Sequence, residues 1–79
     1  MPPLLNLRHL AAALEVRRLG SVSRATEKVH LSQSAITQGF CKLERALGFE
    51  MFIRSHDGLV PTETGEIFLR RVDQAIDFL

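Results

Sequence analysis

Apolar residues recur along the chain at helical spacing, interrupted by short polar or glycine-bearing breaks. Leu7, Leu10 and Leu14, with Ala11 and Ala13 beside them, predict a first helix that Asn6 can cap. Gly20 ends it, with Arg17 and Arg18 in the last turn, where cations suit the helix dipole. Ser21 can cap a second helix whose inner face is Val22, Ala25 and Val29. After the brief link His30-Leu31, Ser32 is a good N-cap for a third helix with the stripe Ile36, Phe40, Leu43 and Leu47. Gly48 stops that helix. Strand formers from Phe49 to Ile53, the turn-rich Ser55-His56-Asp57-Gly58, and the returning Leu59-Val60 predict a hairpin ended by Pro61. Thr62 can cap a fourth helix on which Leu69, Val72, Ile76 and Leu79 recur, with Phe68 and Ala75 alongside.

Three helices followed by a two-stranded wing make a winged helix-turn-helix. The fold class expected is therefore mainly α, with a C-terminal linker helix used for dimerisation. Residues 1–61 form the winged unit, and residues 62–79 form the linker helix continuous with it. The short link between helices two and three forces a steep crossing, which pushes the third helix out as a ridge able to enter a major groove.

Composition narrows the classes without naming a function. With 79 residues, 46% hydrophobic and 24% charged, the chain suits one small globular domain. It has no apolar run long enough to span a membrane and no secretory pattern at its start, and the single Cys41 suits a reducing, cytoplasmic compartment. The net charge of +1 hides an asymmetry. Up to His56, eight basic residues face four acids, giving +4; beyond it, two face five, giving −3. A basic body with an acidic tail fits a surface that meets nucleic acid.

The third helix supplies the candidate chemistry. At about 100° per residue, its apolar stripe stays within about 40° of Ile36. Ser34, Gln38, Cys41 and Arg45 lie opposite, Thr37 lies at the border, and Gln33 sits in the first turn. Gln pairs with adenine N6 and N7, while Ser and Thr bond either a base or a phosphate. A solvated polar face is the bland alternative. Ser55-His56-Asp57 holds the letters of a catalytic triad, but neighbours in one turn cannot build its geometry, so no enzyme is expected. His9, His30, His56 and Cys41 lack metal-ligand spacing. Cys41 on the exposed face is a candidate for redox sensing or cross-linking, although such a residue is more often inert.

Taken in order, several stretches are similar to the N-terminal domain of LysR-type transcriptional regulators. They are Asn6-Leu7-Arg8-His9-Leu10, Gly20-Ser21-Val22-Ser23-Arg24-Ala25, Ser32-Gln33-Ser34-Ala35-Ile36-Thr37 before Leu43-Glu44, Leu47-Gly48, Phe52, Arg54, and Pro61-Thr62-Glu63-Thr64-Gly65. The resemblance implies a bacterial, sequence-specific, dimeric regulator that reads an inverted repeat in double-stranded DNA with its third helix. Gln33, Ser34, Thr37 and Gln38 match its base-reading positions, and Arg8, Ser23, Arg24, Ser32 and Arg54 are the expected backbone contacts. Leu69, Val72, Ile76 and Leu79 are the expected dimer seam, with higher oligomers open to a full-length protein. No cofactor is expected in this chain. A small-molecule inducer would act only through a C-terminal domain absent from these residues.

Several positions depart from the family's pattern. Gln38 stands where Arg is frequent, Cys41 where a basic residue is common, Asp57 where the wing often carries a cation, and Ala12 and Ala13 where aromatics are usual. Gly39 in mid-helix costs about 1 kcal/mol relative to Ala. These departures imply modest DNA affinity or an unusual site. They also support the rival reading, a winged-helix dimerisation or protein-interaction module without sequence-specific DNA binding.

Overall fold

The structure is a computed structural model, which describes residues 6–77. Its elements run α1 (Leu7–Leu19), α2 (Val22–Val29), α3 (Gln33–Leu47), β1 (Phe52–Ser55), β2 (Gly58–Pro61) and α4 (Glu63–Ile76). Four short polar side chains start the four helices. Asn6 accepts from the Arg8 and His9 N–H groups, Ser21 from Arg24, Ser32 from Ala35 and Thr62 from Gly65. Each supplies an acceptor for N–H groups that a first helical turn leaves unpaired. Helices α1 and α3 end at Gly20 and Gly48, both left-handed. The α2–α3 link turns at His30, where φ is 54°.

The core joins Leu10, Ala12, Ala13 and Val16 of α1 with Ala25, Ile36, Phe40, Leu43, Met51, Phe52 and Leu69. Ala12 and Ala13 are completely buried, so small side chains fill this part of the core. The Phe40 and Phe52 rings stack with centroids 5.4 Å apart, tying α3 to the wing. Leu7 does not join this core. It is 66% exposed.

The wing differs from the sequence expectation in its boundaries. The first strand is Phe52–Ser55 rather than Phe49–Ile53, and the second extends through Pro61, paired with Phe52. The cause lies in the residues before it. The Met51 N–H donates to the Glu44 carboxylate at 2.6 Å, and the Met51 carbonyl accepts from the Thr62 N–H at 2.9 Å. The Phe49 ring meets Phe68 edge-on instead of joining a ladder. Pro61 is tolerated because it closes a strand that needs no N–H there.

Two further contacts set the wing in place. The Leu59 N–H donates to the Gly20 carbonyl at 3.1 Å, so β2 is held against the α1–α2 corner. The Thr62 hydroxyl donates to the Glu50 carbonyl at 2.6 Å, and a Cβ at Gly65 would collide with the Met51 carbonyl. The Pro-Thr-Glu-Thr-Gly stretch is therefore a joint between wing and α4.

Candidate nucleic-acid interface

The left-handed turn at His30 separates α2 from the start of α3. Gln33, Ser34, Thr37 and Gln38 are all exposed there. The Thr37 hydroxyl donates to the Gln33 carbonyl at 3.0 Å, which leaves its oxygen free to accept. Ser32 accepts from the Ala35 N–H at 3.0 Å, and its own hydroxyl proton remains available for an anionic oxygen.

A cleft separates α3 from the wing. Ser21, Ser23, Gln33, Thr37, Arg54 and Asp57 are among the residues that line it. Two of the four expected base-reading residues thus share a cleft with two of the expected backbone contacts, Ser23 and Arg54. Ser34 and Gln38 are exposed on α3 outside this cleft, as is Arg24 on α2. Arg8 is exposed too, and its guanidinium donates to the His30 carbonyl over a long 3.4 Å. Ser21 was read only as a helix cap, and the structure adds it to the cleft wall beside Ser23.

Asp57 carries the opposite charge into the same cleft. Its own N–H donates to the Ser55 hydroxyl at 3.2 Å, so Ser55-His56-Asp57 forms a hairpin turn. Cys41 and Arg45 lie exposed further along α3. The outer face of this helix is consequently polar at its start and carries Arg45 near its end.

The fourth helix corrects one expectation. Leu69, assigned to a dimer seam, is completely buried in the chain's own core and cannot meet a partner. Val72 and Ile76 are half-buried, and Leu79 lies outside the described residues. The largest apolar exposure on α4 is instead Ile67, at 53%. Periodicity gives the angle of a residue on its helix, but not which neighbour covers that angle.

One ion pair joins the basic body to the acidic tail. Arg17 Nε donates to Glu66 Oε1 at 2.9 Å and Nη2 to Oε2 at 2.7 Å, a bidentate pair between the end of α1 and the start of α4. The hydrogen bond from Arg17 holds the Glu66 carboxyl below its ordinary range, against an opposing effect of burial. A separation of 49 residues kept this pair out of sequence reasoning.

The family described as "Bacterial regulatory helix-turn-helix protein, lysR family" matches residues 7–66. The chain is 48% identical over 71 residues to the HTH-type transcriptional regulator CysB of Thiocapsa roseopersicina, covering 89% of this chain and 51% of that protein. It is 38% identical over 71 residues to the small neutral protease regulatory protein of Streptomyces coelicolor, covering 90% and 22% respectively. The chain thus spans from about a fifth to about half the length of these curated relatives. Among solved structures, the CbnR DNA-binding domain in complex with DNA superposes with a TM-score of 0.85 at 30% identity, covering 94% of this chain and 85% of that one.

Proposed function

Because the chain belongs to the lysR family of bacterial regulatory helix-turn-helix proteins, we propose that it is a sequence-specific DNA reader that regulates transcription as a homodimer. The observation that carries this reading is the exposed quartet Gln33, Ser34, Thr37 and Gln38 at the start of α3, two of which share a cleft with Ser23 and Arg54. Its mechanism is binding rather than turnover. The arginines neutralise phosphates and fix the register, and α3 lies in the major groove. Gln33 and Gln38 bond base edges, with adenine their best-matched partner, and the exposed Thr37 bonds a base or a phosphate.

The apolar groups that α4 leaves partly in solvent, Val72 and Ile76 beside the core and Ile67 on the opposite side, supply the contact between two copies. Two-fold symmetry then calls for two related half-sites. The reading places the protein in the cytoplasm, with any inducer bound by a further domain such as the greater length of the relatives accommodates.

Asp57 in the cleft favours a second reading, a module that associates through α4 without reading sequence. One experiment separates the two: binding to a pool of random duplexes at moderate salt, with sequencing of what is retained. The DNA reader recovers an inverted repeat whose half-sites change with Gln33→Ala or Gln38→Ala, and its binding falls steeply with salt. No enrichment from folded, dimeric protein supports the association module.

A further inference from the structure

The first turn of α1 touches the α3 segment at two points, outside the reading face. The His9 ring lies against Gly39 so closely that a methyl group added at Gly39 would stand 2.5 Å from His9 Cδ2 and 2.6 Å from Cγ. One residue earlier, the Arg8 guanidinium donates to the His30 carbonyl at the left-handed turn before α3. The backbone that carries both side chains is held by Asn6, which accepts from the Arg8 and His9 N–H groups at 2.8 Å and 3.3 Å. Between these two contacts lie Gln33, Ser34, Thr37 and Gln38, which face solvent as candidate base readers.

Gly39 is otherwise a poor choice in the middle of a helix, since only Pro forms helix less readily. Its place is explained by space, because any other residue would meet the ring. Retreat is restricted for His9. The closest atoms include Cγ, which moves only if χ1 rotates, and a helix disfavours one of the three χ1 wells. Close-packed interiors pass such a displacement on to the neighbouring element.

We propose that His9 is a positioning residue for DNA reading. Its ring, seated on Gly39, sets how far α3 stands from α1 and hence the angle at which Gln33, Ser34, Thr37 and Gln38 are presented. This deepens the proposed function and rests on it. The test compares Gly39→Ala with the double variant His9→Ala/Gly39→Ala, first by backbone amide NMR of the protein alone. Gly39→Ala should shift the amides of residues 33–38, and the double variant should return them toward wild type. Binding to the random duplex pool should fall about tenfold in Gly39→Ala, roughly 1.4 kcal/mol, and recover in the double variant.

Unmoved amides in Gly39→Ala, with a raised melting point from better helix propensity alone, would overturn the proposal. Shifted amides that the double variant fails to restore would overturn it too. Should Gly39→Ala fail to fold, His9→Ala alone decides: faster amide exchange across 33–38 supports the seat, and unchanged exchange refutes it. Because these amide readouts need no DNA, they separate failure of this inference from failure of the DNA-reading function.

Discussion

Helices α3 and α4 have similar lengths, 15 and 14 residues, and each carries an apolar stripe, but they are satisfied in different ways. Helix α3 buries Ile36, Gly39, Phe40 and Leu43 and turns a polar face outward. Helix α4 buries only Gly65 and Leu69 among the described residues and leaves Ile67 largely in solvent. An exposed polar face is stable in water and gains specificity when it meets another set of donors and acceptors. An exposed apolar side gains free energy only by being covered. The same periodic pattern therefore has two outcomes: the core covers the stripe of α3, while Ile67 on α4 stays in solvent.

The sharpest way to break this contrast is to remove a buried group from α3. Leu43→Ala should destabilise the domain by about 2–5 kcal/mol, enough to bring a domain this small close to unfolding. Ile67→Ala at low protein concentration should stay within about 0.5 kcal/mol of wild type. Urea titrations followed by circular dichroism would measure both, and equal losses would erase the distinction. A smaller effect is expected from Ile67→Lys, which places a charge on the uncovered side of α4. Self-association should weaken about tenfold or more while the dilute protein melts unchanged. Sedimentation at several concentrations reads this directly, and an unaltered profile would move the interface elsewhere.

The smallest effect concerns the ion pair that ties α4 to α1. Glu66→Gln should cost about 0.2–1 kcal/mol, as expected for a partly exposed pair. Its pH dependence has a definite sign. Arg17 lowers the folded-state pKa of Glu66, so the pair's contribution is complete above the ordinary carboxylate value of about 4.3. It is lost as pH falls through the lowered folded value. Acid unfolding of Glu66→Gln should lack that component, and identical acid limbs for the two proteins would show the pair to be energetically idle.

What the sequence revealed follows from the range of each interaction. All four N-caps were legible, because a short polar side chain reaches an N–H only two or three residues ahead. So was the exposed end of α3, since Ile36, Phe40 and Leu43 fix its rotation. The wing's first strand was misplaced because its start depends on Glu44 reaching Met51 and on Thr62 closing back to the same residue. Leu69 was assigned to a partner because a seam on a helix looks the same whether its own core or another chain covers it. Arg17–Glu66 and His9–Gly39 join distant helices, and no local pattern announces either. The candidate reading residues were thus found from sequence, while the contacts that hold them at an angle were not.

Leu69 also has a consequence for how the protein comes into being. A chain leaves the ribosome amino end first. The three helices and the wing therefore emerge while the place that Leu69 fills is still open. Only when α4 has followed can Thr62 close onto Glu50 and Leu69 enter the core. The three helices and the wing are made early in synthesis, and their core closes last.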